Sequence, residues 1–427
     1  MRKMKITSEQ WLRELPVSWG LSRIASLYTL RNTKVSDKDY MPLSVTMNGI
    51  VPQLETAAKT NAHDDRKLVK KGDFAINSRS DRRGSCGISE YDGSVSLINT
   101  ILAPLGEMNP NYYNWLFHTT QFADEFYKWG HGIVDDLWTT GWQDMKKIMI
   151  PVPPLQEQKK IATFLDAKCA EIDALTADIQ TQIDTLEQYK RSVITETVTK
   201  GRNPDAEMKD SGIDGAGVTP SHWKTTRLCY ECYIRARLGW RGLKADEYVD
   251  EGYAFISAFN IQNGKLVWTP LNYITKERFD ESPEIKLHSG DVLIVKDGAG
   301  VGKCARVDDL PMGGTAPNSS IAVITPSKNL DYRYVCYYLQ SAVFNNFVLL
   351  LYNGMGVPHL TQEVMSKIKI LVPPLKEQMV ISDYLDAKCT EIDAVVETKK
   401  SQLATLDEYK KSLIFEYVTG KKEVPAV

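Results

Sequence analysis

The feature that most constrains the fold of this chain is a long internal repeat. Residues 153–175 read PPLQEQKKIATFLDAKCAEIDAL and residues 373–395 read PPLKEQMVISDYLDAKCTEIDAV, so 15 of the 23 positions are identical. The match continues without a gap, because LEQYKRSVITETVT from Leu186 corresponds to LDEYKKSLIFEYVT from Leu406. Self-similarity at a fixed offset indicates a duplicated structural unit. The chain is therefore expected to contain one kind of fold twice.

Weaker matches extend the duplication to the segments that precede the two repeated tails. Residues 84–86 correspond to residues 302–304, and residues 109–112 correspond to residues 329–332. The second copy is longer, and its extra residues are expected between Trp223 and Gly290. The predicted division is a first globular domain at 1–152, a first long helix at 153–201, a second globular domain at 202–372, a second long helix at 373–421 and a tail at 422–427.

Each repeated segment is predicted to form one long helix. A diproline at 153–154 or 373–374 precedes each copy, and proline suits the first turn of a helix but not its interior. No further proline or glycine occurs before Gly201 in the first copy or Gly420 in the second. The uninterrupted stretch is about 45 residues, which corresponds to roughly 68 Å of helix.

Apolar residues in both helices recur with a period of 3.5 residues, which is typical of a coiled-coil seam. The predicted pairing residues are Leu165, Ile172, Leu175, Ile179, Leu186, Tyr189 and Val193 in the first helix and Leu385, Ile392, Val395, Leu406, Tyr409 and Leu413 in the second. Lys399 occupies the position equivalent to Ile179, where a charge is expected to fix register or partner. A single helix of this kind would suit an ordinary core, but two matching copies favour antiparallel pairing within the chain.

The segments outside the tails mix strand-like and helix-like patterns. SLINTILAP, DVLIVK and SIAVITP have the composition of strands, whereas NPNYYNWLFHTTQFADEF and NLDYRYVCYYLQSAVFNNF suit helices. A final strand, IMIPV or IKILV, leads into each diproline. The predicted class is α+β, with two globular domains separated by two long helices that form an antiparallel intramolecular coiled coil with pseudo-twofold symmetry. Met1 is expected near the C-terminal end of the second helix.

Composition restricts the function classes without selecting one. Of the 427 residues 43% are hydrophobic and 25% charged, which is ordinary for a globular protein. No signal-like start and no apolar run of membrane-spanning length occurs, so a cytoplasmic location without membrane contact is expected. Seven cysteines, an odd number, argue against a disulfide framework. The formal net charge of −2 means that any DNA binding must depend on local basic patches.

Basic residues cluster within both globular segments, often beside Ser, Asn and Gly. Arginine in such loops suits phosphate and guanine contacts because its guanidinium donates two hydrogen bonds at once. A solvated basic surface is the alternative interpretation. The candidate DNA-binding residues are Lys70, Lys71, Arg79, Arg82 and Arg83 in the first domain and Arg235, Arg237, Trp240, Arg241, Lys244, Lys296 and Lys303 in the second.

Several motifs resemble catalytic or metal sites, but none is complete. Asn-Pro-Asn-Tyr at 109–112 lacks the second proline of the adenine-methyltransferase motif, and the matching residues 329–332 keep only the character of a helix start. The glycines of DGAGVGK at 297–303 fit a turn between strands better than a phosphate-binding loop. Cys229 and Cys232 have no second pair at zinc spacing, and Cys169 and Cys389 suit helix packing. We therefore predict no catalytic residue, metal site or cofactor on this chain.

The repeated segments and the strands before them resemble the specificity subunits of type I restriction-modification enzymes. GDFAINSRSDRRGSCG and GDVLIVKDGAGVGKCA support this resemblance, which covers essentially the whole chain. It implies two target recognition domains that each bind one half of a split site in double-stranded DNA. It also implies that the paired helices set the gap between the half-sites.

The same resemblance implies the partners. Two methyltransferase subunits would carry S-adenosylmethionine, and restriction subunits, two in the full complex, would use ATP and Mg. The chain itself would be non-catalytic. Two alternatives from other classes are an autonomous DNA-modifying enzyme with a cryptic site and a coiled-coil adaptor that binds only proteins.

Overall fold

The computed structural model describes residues 2–53, 63–79, 82–132, 138–237, 243, 247–298, 300–351 and 359–425. The chain divides into two compact units. Unit 1 consists of Met1–Gln180 and Ser401–Val427, and unit 2 consists of Thr181–Lys400. Each unit therefore contains one globular part together with stretches of both long helices. The C-terminal residues complete the unit to which the N-terminus belongs.

The globular part of unit 1 is mainly strands, followed by short helices and a final strand before the first long helix. Its 3-10 helices lie at Gln10–Leu12 and Ile24–Ser26. Its strands and helices are β1 (Met4–Ile6), β2 (Glu14–Pro16), β3 (Gly20–Arg23), β4 (Tyr28–Leu30), β5 (Lys34–Val35), β6 (Leu43–Thr46), β7 (Gly49–Pro52), β8 (Arg66–Val69), β9 (Phe74–Asn77), β10 (Cys86–Ile88), β11 (Gly93–Val95), β12 (Asn99–Pro104), α1 (Pro110–Phe117), α2 (Thr120–Lys128), α3 (Trp142–Met145), β13 (Met149–Val152) and the long α4 (Leu155–Lys200).

Unit 2 repeats this order with additional elements in its first half. Its 3-10 helices lie at Ala258–Asn260 and Pro283–Ile285. Its strands and helices are β14 (Met208–Asp210), β15 (Val218–Pro220), β16 (Lys224–Arg227), α5 (Leu228–Glu231), β17 (Cys232–Arg235), β18 (Tyr253–Ile256), β19 (Ile261–Gln262), β20 (Gly264–Leu266), β21 (Asn272–Ile274), α6 (Lys276–Asp280), β22 (Val292–Val295), β23 (Cys304–Arg306), β24 (Thr315–Pro317), β25 (Ile321–Pro326), α7 (Tyr332–Gln340), α8 (Ala342–Leu351), α9 (Gln362–Ser366), β26 (Lys369–Val372) and the long α10 (Leu375–Val418).

Three sheets of unit 1 correspond strand by strand to sheets of unit 2. The sheet ordered β10-β9-β12-β4 in unit 1 matches β23-β22-β25-β17 in unit 2, where β20 and β19 extend the edge beyond β23. The pairs β13-β3 and β1-β2 match β26-β16 and β14-β15. Among the described residues, six strands lie between Trp223 and Gly290, as between Trp19 and Gly72, and the elements that unit 2 adds in this stretch are α6 and the 3-10 helices at 258–260 and 283–285. The predicted α+β class with two long helices is confirmed.

Each unit has a main hydrophobic core to which both long helices contribute. In unit 1, aromatic residues of α1 and α2, including Tyr112 and Phe122, pack with Leu165 of α4 and Leu413 of α10. In unit 2, residues of α7 and α8 pack in the same way with Ile194 of α4 and with the first turns of α10. The helices are thus part of each globular core and not only a connection between domains.

The seam of the long helices follows a regular heptad, but its second line of residues differs from the predicted one. Buried or half-buried side chains alternate at spacings of four and three residues: Leu165, Cys169, Ile172, Thr176, Ile179, Ile183, Leu186, Lys190 and Val193 in α4, and Leu385, Cys389, Ile392, Val396, Lys399, Leu403, Leu406, Lys410 and Leu413 in α10. This 3.5-residue period is that of a coiled coil.

The prediction is wrong for Leu175, Tyr189, Val395 and Tyr409, because these residues are 47%, 49%, 42% and 53% exposed. These residues lie three positions after a buried seam residue, whereas the side chain that turns inward lies four positions after it. Because 3.6 residues make one helical turn, both spacings are compatible with one stripe. Which residues of the stripe are buried depends on how the opposite helix packs against it.

Contacts within unit 1 show that its helical stretches are antiparallel. Phe164 of α4 packs on Tyr417 of α10 with ring centroids 4.5 Å apart. About two and a half turns further along α4, Asp173 accepts a hydrogen bond at 2.5 Å from Nζ of Lys410, which lies about two turns earlier in α10. Residue numbers rise in one helix as they fall in the other, as the antiparallel prediction requires.

Unit 2 contains the equivalent contacts. Lys190 of α4 donates to Asp393 of α10 at 2.6 Å, which repeats the Lys410–Asp173 pair 220 residues away in both partners. Lys399, the charged seam residue, donates to the side chain of Gln182. Lysines at these seam positions are therefore neutralised or hydrogen-bonded by the opposite helix, which favours one register over a heptad slip.

The glutamine of each Pro-Pro-Leu-x-Glu-Gln segment ties a long helix to the globular part of its unit. Gln158 accepts a hydrogen bond from the backbone N–H of Asn109 at 2.9 Å. Gln378 accepts the same hydrogen bond from Asp331 at 2.8 Å. Both glutamines are buried, so each side chain needs the hydrogen-bond partner that the half-buried backbone group supplies. This role explains a glutamine in both copies.

The start of the chain packs against the end of α10 within unit 1. Arg2 lies 3.7 Å from Glu423 and also forms an ion pair with Glu157 near the start of α4. The helix itself stops at Gly420, whose φ of +69° terminates the helical conformation. Met1, which was expected beside the end of the second helix, lies outside the described residues.

Among the described residues, no single helix is both long and apolar enough to cross a membrane. The bent pair formed by α7 and α8 passes such a test only when the two are taken together, and core helices commonly do so.

Candidate nucleic-acid interface

The predicted basic residues of unit 1 lie at the two ends of one strand. Lys70 and Lys71 are exposed in the turn that precedes β9, whereas Arg79, Arg82 and Arg83 follow its other end. Arg82 and Arg83 are exposed and Arg79 is half-buried. The structure therefore separates these residues into two clusters that face different ends of the sheet. Their proximity in sequence does not make them one binding surface.

Two predicted residues of unit 2 form ion pairs. Arg235 donates to Asp291 at 2.7 Å and also to the hydroxyl of Thr325. The Arg235 side chain is 9% exposed and that of Arg237, which lies 3.5 Å from Glu281, is 6% exposed. The Arg235 guanidinium stabilises the interior of the unit, and we do not retain Arg235 as a DNA-contact residue, because reaching a base would require breaking a buried ion pair. The Arg237–Glu281 contact is exposed, so Arg237 stays a prediction.

The remaining predicted residues of unit 2 fall into two groups. Lys296 is half-buried and Lys303 is exposed, and both belong to the loop between β22 and β23. Trp240, Arg241 and Lys244 lie outside the described residues.

The loop between β9 and β10, here called hairpin loop 1 (residues 78, 79 and 82–85), is fixed by backbone hydrogen bonds on several sides. Gly84 has φ of +77°, a conformation that favours glycine. The bonds run from Asn77 N–H to Ser85 O (2.8 Å), from Ser85 N–H to Arg82 O (3.0 Å), from Ser78 N–H to Ile98 O (3.2 Å) and from Thr140 N–H to Ser78 O (2.9 Å). The loop is thus attached to its own hairpin, to the strand β12 region and to the segment before α3.

The loop between β22 and β23, here called hairpin loop 2 (residues 296–298 and 300–303), has the same framework. Gly302 has φ of +90° at the position equivalent to Gly84. The bonds run from Val295 N–H to Lys303 O (2.8 Å), from Lys303 N–H to Gly300 O (3.0 Å), from Lys296 N–H to Ser320 O (2.7 Å) and from Leu360 N–H to Lys296 O (2.9 Å). The backbone is therefore equivalent in the two units although the sequences differ.

The side chains on the two loops differ in charge and in reach. Hairpin loop 1 carries Arg79, Arg82 and Arg83, and Arg83 forms an ion pair with Asp124. In hairpin loop 2, Asp297 pairs with Lys296 and lies 2.7 Å from Nδ1 of His359. Burial raises the pKa of Asp297, but the hydrogen bonds from His359 and Lys296 outweigh this and hold it below the usual value. Asp297 is therefore an ionised acceptor at neutral pH.

His359 is a residue that the sequence analysis missed. It lies 62 residues after Asp297, and no local pattern marks it as a partner. The isolated bridge between Asp297 and His359 in unit 2 corresponds to the bridge between Arg79 and Thr139 in unit 1. This equivalence is visible only when the two units are compared as structures.

The motifs that resembled catalytic sites have structural roles. Asn109 caps α1 by accepting from the backbone of Tyr112 at 3.0 Å, and Asp331 caps α7 by accepting from Tyr334. The structural equivalent of Asn109 is therefore Asp331, and the match of residues 109–112 to 329–332 is shifted by two residues. The glycines at 298–302 form the turn of hairpin loop 2, as predicted. No group of three or more His, Cys, Asp or Glu suited to a metal ion occurs in the described part of the chain.

The cysteines also behave as packing residues. Cys169 and Cys389 lie in the helix seam and are buried. Burial raises the pKa of the Cys169 thiol to about 11 and that of Cys232 to about 12. Cys229 is half-buried, and its thiol contacts the carbonyl oxygen of Ser366 at 3.0 Å. All seven cysteines are free thiols.

These exposures predict a selective thiol reaction. Brief treatment of the native protein with iodoacetamide should modify about one cysteine, Cys229, because thiolate formation and access both limit the reaction. Peptide mass spectrometry would locate the modification, and the Cys229→Ser variant should remain almost unmodified. Equal labelling of Cys86 or Cys304 in the folded chain would contradict the packing described above.

Comparison with known proteins places the chain in a family. The model of the type I restriction modification DNA specificity domain matches twice, at residues 16–185 and 239–405. The MjaVIII type I restriction enzyme specificity subunit of Methanocaldococcus jannaschii is 26% identical over 282 residues, which are 65% of this chain and 63% of that protein. The EcoKI specificity subunit of Escherichia coli K12 is 24% identical over 210 residues, 48% of this chain and 44% of that protein.

A solved structure concerned with complex assembly and conformational transition of the type I R-M system contains a chain with the same fold. That chain superposes with a TM-score of 0.72 and 17% sequence identity, covering 96% of this chain and 99% of the other. The chain spans less than two thirds of the length of the two relatives matched by sequence. Because the family model matches well over half of its residues, the protein belongs to the family defined by the type I restriction modification DNA specificity domain.

Proposed function

We propose that this chain is the DNA-specificity subunit of a type I restriction-modification complex. The domains at 1–152 and 202–372 each bind one half of a split site in double-stranded DNA, in the cytoplasm where the host DNA lies. The observation that carries the proposal is the duplication itself: two units share one framework, while their loops differ in sequence. A framework that occurs twice in one chain suits a two-part DNA site, and divergent loops suit unlike half-sites.

The same proposal assigns two methyltransferase subunits as partners. They supply S-adenosylmethionine and the reacting groups, while restriction subunits that use ATP and Mg join the assembly. The four residues that were predicted in the seam but are exposed support a protein-binding surface that occurs once in each unit. Leu175 and Tyr409 are exposed in unit 1, and their equivalents Val395 and Tyr189 are exposed in unit 2. An apolar pair at the same place in both copies suits two identical partners.

Reconstitution tests this function directly. The purified chain is mixed with its methyltransferase subunit, S-adenosylmethionine and unmethylated genomic DNA, and methylated adenines are mapped by sequencing. We expect methylation within a two-part motif with an unspecified gap, and none when either protein is omitted. Methylation by the isolated chain would make it an enzyme. A chain that binds the methyltransferase but confers no site preference would be a protein-only adaptor.

A further inference from the structure

The two hairpin loops combine a shared backbone with unrelated side chains. The four backbone hydrogen bonds given above for each loop join equivalent positions in the two units. The sequences on this framework are SRSDRRGS at 78–85 and KDGAGVGK at 296–303, which share only the positive-φ glycine. A loop needed only for stability would not require such a difference in charge. A loop that recognises a different ligand in each unit would require side chains of different charge.

The described residues of both loops are attached to neighbouring segments by hydrogen bonds. Each is attached to a neighbouring strand and to the segment that precedes a short helix, α3 or α9. In unit 1, Tyr127 of α2 adds a hydrogen bond to the Asn77 carbonyl at 3.5 Å and lies beneath Arg83, 5.6 Å from its guanidinium. Sequence recognition requires such positioning, because a base-edge contact tolerates little error in geometry.

The side chains on the two loops predict different base preferences. Arginine binds the O6 and N7 atoms of guanine through two parallel hydrogen bonds, so Arg79, Arg82 and Arg83 suit a guanine-containing half-site. Asp297 is an ionised acceptor, and a carboxylate accepts from the amino group of cytosine. Lys303, exposed at the end of the same loop, suits the guanine of that base pair or an adjacent phosphate.

We propose that hairpin loop 1 and hairpin loop 2 are the base-reading elements of the two units. On this inference, which rests on the proposed function, loop 1 reads guanine edges in the major groove of one half-site through its arginines. Loop 2 reads a G·C pair in the other half-site through Asp297, with Lys303 beside it. Lys70 and Lys71, at the far end of β9, do not take part in base reading.

The test compares loop variants with a matched control in the same unit. The full chain carrying Arg79→Ala and Arg82→Ala, or Asp297→Asn, is assembled with the methyltransferase subunit, and bound sequences are selected from a random duplex library. The control carries Lys70→Ala and Lys71→Ala, which removes the same charge from the other end of β9. Thermal unfolding of each variant verifies that its framework is intact.

We expect the loop 1 variant to lose its preference for guanine by about 10- to 100-fold at one or two positions of one half-site only. Asp297→Asn should relax one position of the other half-site. The lysine control should keep the wild-type motif. The inference is overturned if folded loop variants select the wild-type motif, or if the lysine control changes it. If the wild-type complex itself selects no motif, the proposed function fails first.

Discussion

Replacing Asp291 by alanine is expected to destabilise unit 2 by about 3–5 kcal/mol, because it would leave the Arg235 guanidinium buried without a counter-charge. Asp291 is 1% exposed and accepts hydrogen bonds from Arg235 at 2.7 Å, from the backbone of His288 at 2.8 Å and from the hydroxyl of Thr325. Removing one partner of a buried pair costs far more than the pair contributes as a whole, since the remaining charge stays desolvated.

Hydrogen exchange followed by mass spectrometry measures this effect in the full chain, because peptides from β17, β22 and β25 report on unit 2 alone. The surface variant Glu363→Ala, which breaks the exposed pair with Lys367, is the control and should not change the exchange of these peptides. Replacing both buried partners, as Arg235→Met with Asp291→Leu, should recover most of the lost protection. Normal protection in Asp291→Ala would mean that Arg235 is not buried as described.

The equivalent acid in unit 1 provides an internal comparison. Asp73 is 2% exposed and accepts a hydrogen bond from Arg31 at 2.5 Å, but the Arg31 side chain is 24% exposed. Because water can reach this arginine after its partner is removed, the cost of Asp73→Ala should be smaller than that of Asp291→Ala.

Truncating Ile172 to alanine is expected to destabilise unit 1 by about 2–4 kcal/mol, while Leu175→Ala should change its stability by less than about 0.5 kcal/mol. Ile172 belongs to the main core of unit 1 together with Leu413, whereas nearly half of the Leu175 side chain is exposed. The two substitutions remove similar apolar volume from the same helix, three residues apart. Only burial differs between them.

Hydrogen exchange of peptides from α1, α4 and the end of α10 measures both effects. The two variants also separate stability from partner binding, because Leu175 lies on the surface proposed for a methyltransferase subunit. Leu175→Ala should weaken that association while leaving exchange unchanged. Equal destabilisation by both substitutions would place Leu175 in the seam and refute the register described above.

The local sequence pattern alone was enough to predict the long helices and their duplication. The diprolines, the glycines that follow and the seven-residue period act locally, through backbone conformation and side-chain spacing. They predicted helices at 153–201 and 373–421, and the structure has them at Leu155–Lys200 and Leu375–Val418. The α+β class followed in the same way from alternating and helical patterns.

The face of each helix could not be predicted as well as its extent. After Ile172, both Leu175 and Thr176 lie close to the stripe, and the apolar pattern predicted Leu175 as the seam residue. In the structure Thr176 is half-buried, whereas Leu175 is 47% exposed. Hydrophobicity favours burial in general, but tertiary packing decides which residues of a helix the partner covers.

For the basic residues too, the local sequence shows where arginines cluster, but a partner far along the chain decides which of them is buried. Arg235 and Arg82 both lie in arginine-rich stretches, yet Arg235 is buried because Asp291, 56 residues later, pairs with it inside the sheet. The sequence by itself determined a duplicated α+β chain with two long helices, since these depend on neighbouring residues. Only the tertiary structure decided which arginines are buried in ion pairs and that two unlike loops share equivalent backbone hydrogen bonds, because contacts between distant residues fix both.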